Sequence, residues 1–293
     1  MPAVIDYLAI GHLVVDRLSA GPTPGGSVAY ACATAVRLGL TAAIVTVAGE
    51  ELAWERLLPG VRLARIPTRV STSFENLYVG GRRRQRVLAT AGPIPVEAVP
   101  HDWVAAPIVH LAPVAWEIDG GLPALFKRSL IGLTPQGLLR QWGPDGTVRQ
   151  GRWAGDDRLL SADVAIFSDD DVAGDPDFLP RCLGAVPITL LTSGAGGATL
   201  FQRGTGPVHF PAFPVQREVD PTGAGDVFAA AFLIEYNRTR DPHRAAAFAC
   251  CAASFVVEAQ GLEGVPDREM VESRLEEYGR LLGQRGHHAP SGW

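Results

Sequence analysis

The sequence predicts an α/β protein built on a mostly parallel sheet. Short buried apolar runs alternate with helical segments along most of the chain, as expected for strands joined by crossover helices. Polar clusters follow several of these runs, where ligands collect at the carboxyl ends of parallel strands. The chain has 293 residues, of which 47% are hydrophobic, so one large domain can bury a sizeable core without disulfides.

The first part of the chain follows the strand–helix rhythm. The pair Gly25-Gly26 opens a helix whose small residues allow close packing, and Gly39 ends that helix as a C-cap. Asp16 lies between the first apolar run and this pair. The predicted elements are a strand over 4–10, a helix over 28–38, a strand over 42–47 and a helix beginning at Gly49.

Residues 72–90 interrupt the rhythm with an antiparallel hairpin. The segments 72–79 and 83–89 partly alternate in polarity, and Gly80-Gly81 lies between them. The hairpin carries a cluster of arginines. Either these form a solvated face or one of them closes over a phosphate or substrate. The arginines are Arg82, Arg83, Arg84 and Arg86.

The α/β rhythm then resumes until the end of the chain. Residues 142–152 predict a polar hairpin, and 283–293, with His287 and His288, predict a frayed tail. The predicted strands are 104–111, 130–133, 162–167 and 188–192, and the predicted helices are 121–128, 227–236, 243–258 and 268–282.

The run from Asp220 to Asp226 is the strongest candidate for a functional site. Gly223-Ala224-Gly225 precedes an apolar helix, so unpaired backbone N–H groups and the helix dipole create an anion site there. Asp226 places a carboxylate in this site, which suits a base that takes a proton while the amides hold developing negative charge. The alternative is an ordinary Asp near a helix N-terminus.

Three other polar clusters each allow two interpretations. Residues 194–197 lack the spacing of a dinucleotide fingerprint and are followed by a predicted strand, so they indicate a β-turn that a flat ligand could approach. Asp169-Asp170-Asp171 either cap a helix or offer oxygen ligands to Mg²⁺. Asp16 is either a turn residue or a carboxylate that accepts hydrogen bonds from substrate hydroxyls.

Composition excludes several classes of protein. A net charge of −5 argues against nucleic acid or an anionic membrane as the main partner, and no apolar run reaches the length of a membrane span. The four cysteines form no CxxC pair, and no Walker A motif is present. The N-terminus shows no signal-peptide pattern, so we expect a cytoplasmic protein.

Together these motifs resemble the ribokinase-like (PfkB) carbohydrate kinase family over nearly the whole chain. The run 220–226 is similar to the C-terminal signature of that family, and Gly25-Gly26 with its helix to the N-terminal motif. The segment 11–16 is similar to the first sugar-binding element, and 192–197 to the turn that borders the nucleotide. The 72–90 hairpin occupies the position of the family's lid.

The resemblance implies a fold and a set of roles. It implies a single domain over 1–293, a three-layer α/β/α sandwich with a small β lid. Asp226 would be the catalytic base, the amides of Gly223, Ala224 and Gly225 the anion hole, and Asp171 the acid on the Mg²⁺ side. The implied acceptor residues are Asp16, Gly25, Gly26 and Tyr30, and those bordering ATP are Ser193, Gly194, Gly196, Gly197, Asp220 and Gly261. Asp220 would also organise a loop that in some relatives binds a monovalent cation.

Three departures from the family pattern narrow this expectation. Tyr30 replaces the usual Asn, which argues against an ordinary furanose acceptor, and Ser168-Asp-Asp-Asp171 replaces Asn-x-x-Glu. Only eight residues separate Asp16 from Gly25, so we expect a lid reduced to the 72–90 hairpin. The aromatic residue, the short segment and Thr134-Pro135-Gln136 look more like the myo-inositol kinase branch.

The expected function is therefore ATP-dependent phosphorylation of a hydroxyl group on a sugar, polyol or related small molecule. The alternative is a catalytically inactive sensor of the same fold. The expected partners are the acceptor and ATP, with the oligomeric state left open between monomer and dimer. An NAD-dependent oxidoreductase is disfavoured because the glycine turn is followed by a strand and not a helix.

Overall fold

The computed structural model describes residues 4–18, 21–79 and 82–284. The predicted tail and the Gly80-Gly81 turn lie outside these ranges. The elements in chain order are β1 (Tyr7–Ile10), β2 (Val14–Leu18), β3 (Gly21–Gly25), α1 (Ser27–Arg37), β4 (Ala42–Ala48), α2 (Trp54–Leu57), β5 (Val61–Pro67), β6 (Thr72–Val79), β7 (Arg82–Ala89), β8 (Ile108–Leu111), β9 (Leu130–Leu133), β10 (Arg140–Trp142), β11 (Val148–Gln150), β12 (Val164–Ser168), α3 (Asp169–Val172), α4 (Phe178–Ala185), β13 (Ile188–Thr192), β14 (Ala198–Gln202), β15 (Val208–Phe210), α5 (Ala224–Thr239), α6 (Pro242–Val257) and α7 (Arg268–Gln284).

The large sheet is mostly parallel, as the alternating pattern predicts. Among the described residues it has nine strands in the order β15-β14-β13-β12-β9-β8-β1-β4-β5. The strands from β13 to β5 run parallel, whereas β14 and β15 add an antiparallel edge. The carboxyl ends of the parallel strands therefore meet at one edge of the sheet, where a ligand site is expected.

Hydrophobic layers cover both faces of this sheet. Alternate residues of β1 belong to different layers, with Tyr7 and Ala9 on one face and Leu8 and Ile10 on the other. Buried residues of α1, α5, α6 and α7 pack on the first face. Residues of α4 and of several short 3₁₀ segments pack on the second. The expected three-layer α/β/α arrangement is confirmed.

A second, smaller sheet lies beside the large one, and it is larger than we expected. In the described part of the chain it has four strands in the order β3-β2-β6-β7. β6 and β7 are the predicted hairpin. The expectation that 16–25 is too short for further strands was wrong, because β2 and β3 pair with only residues 19–20 between them. Pro22 and Pro24 are tolerated because β3 is an edge strand.

Three further local predictions were wrong or incomplete. The helix expected at Gly49 is reduced to Trp54–Leu57, since the Glu51 carboxylate instead accepts hydrogen bonds from the Ser71 N–H and hydroxyl. The helix expected over 121–128 is a 3₁₀ turn, Leu122–Leu125, because the backbone leaves the helical conformation at Phe126, with φ −104° and ψ 63°. Strands β5 and β15 and helix α4 carried no signal that we recognised.

A buried carboxylate ties the three long helices together. Glu235 on α5 is fully buried and receives hydrogen bonds from arginines on α5, α6 and α7. Burial alone would raise the pKa of Glu235, but these hydrogen bonds outweigh it and lower the pKa. The arginines are Arg238, Arg244 and Arg268, and Glu272 joins the network.

The helices of the described ranges can be compared with what a membrane-spanning helix requires. Within those ranges, no helix combines the length and the apolar character that crossing a bilayer requires. The longest, α5, α6 and α7, belong to the hydrophobic layer on one face of the large sheet, in which α7 packs on α6.

Candidate active site

The N-terminus of α5 has the backbone geometry that the glycine pattern predicts. Gly223 is the N-cap residue, with a positive φ of 83° and no side-chain cap. Its conformation suits glycine because other residues pay a steric cost there. Asp226 lies in the first turn and is half-buried. The helix therefore begins with open backbone donors and a carboxylate, as expected for the predicted anion site.

The three amides of this turn are not equivalent. The Ala224 N–H donates to the carbonyl of Pro221 at 3.2 Å, which partly occupies it. Gly225 is exposed, and open space surrounds the position a methyl group would take there. In a first turn, N–H groups have no intrahelical acceptor. The Gly225 amide is thus the more accessible donor of the two.

Helix α5 places this turn beyond the carboxyl ends of the central strands. Leu233 packs so closely on Gly132 of β9 that a side chain at Gly132 would overlap it. Gly132 is one residue from the end of β9. Asp226 precedes Leu233 by seven residues, or about 10 Å of helix. The Tyr30 ring contacts Gly223, and the nearby Gly26 packs on the His12 carbonyl just after the end of β1, so the α5 N-terminus lies on the carboxyl side of the strands.

Tyr30 packs directly against the α5 N-terminus. It lies in the first turn of α1, is 5% exposed, and its ring fills the space that a side chain at Gly223 would need. The family's usual Asn at this position is much smaller. The structure thus brings Tyr30 to the predicted base and gives its ring a packing role that the sequence alone did not indicate.

Asp16 and the glycine pair form the side of the site nearest the small sheet. The Asp16 carboxylate lies against the Cα of Gly25, where any side chain would overlap it. Gly26, with φ 91°, packs against the His12 carbonyl and Val14. The alternative interpretation of Asp16 as a turn residue was wrong, because it lies within β2.

Two amide side chains that sequence reasoning missed continue from Asp16. The Asn76 amide donates to Asp16 Oδ1 at 3.2 Å, and the Gln85 amide donates to Asn76 Oδ1 at 3.1 Å. Asn76 and Gln85 are cross-strand partners in β6 and β7. The signal available in the sequence was the two-residue alternation of β6, but strand pairing was needed to connect it to Asp16.

A buried polar chain lies beneath the site and was also missed. The Tyr7 hydroxyl is 2.6 Å from His110 Nδ1, and His110 Nε2 is 3.0 Å from the Thr134 hydroxyl. Burial lowers the pKa of His110 to about 3, so its ring is neutral. Burial raises the pKa of Tyr7, and the negative charge of Asp226 adds to the rise.

Asp171 belongs to the capping box of α3, and each of its carboxylate oxygens accepts one hydrogen bond. Its Oδ2 accepts the Ser168 N–H at 2.9 Å, and the Ser168 hydroxyl accepts the Asp171 N–H at 3.1 Å, which makes a capping box. Oδ1 accepts from Gln136 at 3.2 Å. Within the described ranges no three His, Cys, Asp or Glu side chains form a metal cluster. The role of Asp171 on the Mg²⁺ side stays a prediction, because Mg²⁺ keeps several waters and needs only one or two carboxylates.

The predicted nucleotide turn is an exposed 3₁₀ turn at the end of β13. Ser193, Gly194 and Gly196 are exposed, and open space surrounds the position of a side chain on Gly194. Gly197 is buried, with φ 92°, and a side chain there would overlap the Phe210 carbonyl. The following strand β14 runs antiparallel to β13, which confirms the prediction that 194–197 form a β-turn.

Asp220 and Gly261 lie on either side of the α6 C-terminus. The Asp220 N–H donates to the Val257 carbonyl at 3.3 Å, and Asp220 Oδ1 accepts the Thr222 N–H at 3.0 Å. Gly261 has φ 55° and open space around the position of its missing side chain.

The arginines of the β6–β7 hairpin are described in part. The Arg86 guanidinium donates to the Asp145 carbonyl at 3.1 Å and lies 3.5 Å from the Glu75 carboxylate. The side chains of Arg82 and Arg83 lie outside the described residues.

Comparison with known protein sequences agrees with this arrangement. Residues 183–268 match the pfkB family carbohydrate kinase description, and this range holds both the 193–197 turn and Asp226. The chain is 32% identical to a nucleoside kinase of Methanocaldococcus jannaschii over 103 residues, which is 35% of this chain and 32% of that protein. The chain thus spans about a third or less of the curated relatives that it matches.

Comparison with solved structures covers nearly the whole chain. Arabidopsis thaliana ribokinase complexed with ribose and ATP has a TM-score of 0.72 at 19% identity, covering 94% of this chain and 99% of that chain. A pyrophosphate-dependent kinase in the ribokinase family, complexed with a pyrophosphate analog and myo-inositol, has a TM-score of 0.73 at 21% identity, covering 91% and 99%. The expected ribokinase fold is confirmed, and the PfkB resemblance is confirmed over 183–268.

Proposed function

We propose that this chain, which has the ribokinase fold, transfers a phosphoryl group from ATP to a hydroxyl group of a small polyol or sugar. The observation that carries the proposal is the α5 N-terminus, where Asp226 lies in the same turn as the open amide of Gly225. Phosphoryl transfer requires mainly positioning and neutralisation of charge. A carboxylate base beside backbone donors is suited to this chemistry, because one removes a proton while the others stabilise negative charge.

Asp226 accepts the proton of the acceptor hydroxyl as the hydroxyl oxygen attacks the γ-phosphorus. The bond to the β-γ bridging oxygen breaks, and ADP leaves. The N–H groups of Gly223 and Gly225 hold the transferred phosphoryl oxygens, with a smaller share for Ala224 because of its hydrogen bond to Pro221. General-base help of this kind is worth about 10²- to 10⁴-fold in rate. No step is assigned to a metal.

The acceptor binds between the α5 N-terminus and the polar row of the small sheet. Asp16 accepts hydrogen bonds from hydroxyls, whereas the amides of Asn76 and Gln85 both donate and accept. Such a mixed row suits a compact molecule with several neighbouring hydroxyl groups. Tyr30 stands where the resembled sugar kinases have an Asn, and its ring packs on Gly223, so a furanose acceptor would lack that amide partner. This disfavours ribose and leaves other polyols, such as an inositol, as the expected acceptors.

The donor lies along the carboxyl ends of β12 and β13. The exposed turn at Ser193–Gly196 and the open surface at Gly261 can be approached closely by a flat base, because glycine presents no side chain there. Asp220 is joined to the α6 C-terminus and orients the segment that leads to Gly223. One relative above uses pyrophosphate, so both donors belong in the test.

The test is a transfer assay with ATP or pyrophosphate, in magnesium buffer, over a panel of inositols, sugars and nucleosides. We expect phosphorylation of at least one acceptor with ATP. The Asp226→Asn variant is expected to fold and to lose at least about 10²-fold in turnover. Asp241→Asn is the matched control, because Asp241 caps α6 with hydrogen bonds to His243 and Arg244 and Asn is an equally good cap.

Two results would contradict the proposal. Wild-type turnover in Asp226→Asn would show that Asp226 is not the general base. The absence of transfer to every acceptor, together with unaltered nucleotide binding in Asp226→Asn, would favour the sensor instead. Transfer from pyrophosphate and not from ATP would keep the chemistry and correct the donor.

A further inference from the structure

Two buried polar side chains, His12 and Glu117, lie where the small sheet joins the large one. His12 is in the link between β1 and β2, and Glu117 follows β8; their exposed fractions are 0% and 2%. His12 Nδ1 is 3.9 Å from Glu117 Oε1. Neither side chain belongs to the candidate site. Buried polar groups are costly unless they are fully hydrogen-bonded, so their partners are informative.

Glu117 holds the backbone of its own loop and of the β1–β2 link. Its carboxylate accepts the N–H groups of Val114 at 2.9 Å, Ala115 at 2.7 Å and His12 at 2.9 Å. The loop must turn back on itself for this, and Trp116 adopts a φ of 63°. A positive φ in tryptophan is strained and persists only where surrounding contacts require it.

His12 holds two other segments that connect the sheets. Its Nε2 is 2.8 Å from the Gly92 carbonyl, which can only accept, so Nε2 carries the proton. Its Nδ1 then accepts from the Thr72 hydroxyl at 2.7 Å. That hydroxyl in turn accepts the Ala91 N–H at 2.9 Å. A neutral ring in this tautomer satisfies every group in the cluster.

The cluster therefore joins three of the segments by which the chain passes between the two sheets. These are the β1–β2 link at His12, the start of β6 at Thr72 and the segment after β7 at Ala91 and Gly92. Glu117 anchors them to the carboxyl end of β8. Asp16 lies four residues beyond His12, about 13 Å along the same chain segment. A shift at His12 thus displaces Asp16.

We propose that His12 and Glu117 are positioning residues that hold the small sheet at the angle required for acceptor binding. The effect on acceptor binding rests on the proposed function, because Asp16, Asn76 and Gln85 reach the acceptor only from that angle. The structural part of the proposal does not depend on catalysis. It states that the hydrogen bonds of His12 and Glu117 limit motion between the two sheets, and that contacts within the small sheet do not.

The test compares Glu117→Gln with a matched carboxylate change elsewhere. In Glu117→Gln an NH₂ group replaces one carboxylate oxygen, so a buried N–H loses its acceptor. Asp163→Asn is the control: Asp163 accepts the Ile131 N–H at 2.8 Å, at the amino end of the central strand β12. Hydrogen exchange is measured for β2, β6 and α5, and KM for acceptor and donor.

We expect Glu117→Gln to speed exchange in β2 and β6 and to raise the acceptor KM, each by about tenfold, with α5 exchange and donor KM unchanged. Asp163→Asn should change neither exchange in the small sheet nor acceptor KM. Thr72→Val removes the hydroxyl that bonds His12 and serves as a second variant, with the same expected direction.

Unchanged exchange in β2 and β6 in both Glu117→Gln and Thr72→Val would overturn the proposal. So would a uniform rise in exchange across α5 and the small sheet, which indicates only lost stability. Failure of the wild-type protein to phosphorylate any acceptor would count against the proposed function alone, because the exchange measurements need no substrate.

Discussion

Two neighbouring glycines in the candidate site should respond to the same substitution in opposite ways. Gly223→Ala forces an L-residue into a left-handed conformation, at a cost of about 1–2 kcal/mol, and its methyl group overlaps the Tyr30 ring. Overpacking adds about 1–3 kcal/mol. We expect a total loss of about 2–5 kcal/mol in the free energy of unfolding, and a Tm lower by roughly 3–8 °C.

Gly225→Ala should instead stabilise the protein. Gly225 lies inside α5, its φ is not positive, and open space surrounds the position of the new methyl group. Replacing glycine by alanine in a helix stabilises by about 0.5–1 kcal/mol. The same methyl group projects into the proposed phosphoryl site, so activity should fall while stability rises.

The assay is urea unfolding of both variants, alone and in a Tyr30→Ala background. Without the Tyr30 ring, Gly223→Ala should cost only its backbone share of about 1–2 kcal/mol, and the difference gives the Gly223–Tyr30 coupling energy. Wild-type stability in Gly223→Ala, or a loss above about 1 kcal/mol in Gly225→Ala, would refute the geometry assigned to this turn.

Two further predictions concern carboxylates. If Asp171 acts as a helix cap, Asp171→Ala and Ser168→Ala should each lower stability by about 1 kcal/mol and keep most activity, whereas loss of activity in Asp171→Asn with unchanged urea unfolding would indicate a metal ligand. Because the pKa of Glu235 is lower in the folded protein, its contribution to stability is present above its unfolded pKa of about 4.5 and is lost as pH falls through the folded value. Glu235→Gln should therefore cost about 3 kcal/mol at pH 7 and reduce the slope of Tm against pH below about 4.5; an unchanged slope would contradict the network.

Much of the architecture could be predicted because it depends on local pattern. The strands at 7–10, 42–48 and 164–168 are continuous apolar runs, which only a doubly covered parallel sheet buries. The α5 N-terminus was equally predictable, since a Gly-Ala-Gly turn before an apolar run indicates a helix start with open backbone donors. Predictions failed where a distant residue changed the outcome, as at Glu51, which bonds Ser71.

What the sequence by itself determined is the set of parts: an α/β fold, the turn that presents Asp226, and the glycine turn after β13. Only the tertiary structure decided which residues of those parts contact one another. Tyr30 packs on Gly223, Asn76 and Gln85 continue from Asp16, and Asp171 is used as a cap. The physical reason is that hydrogen bonds and packing between residues far apart in sequence depend on strand pairing and helix placement, which leave no periodic trace in the residues themselves.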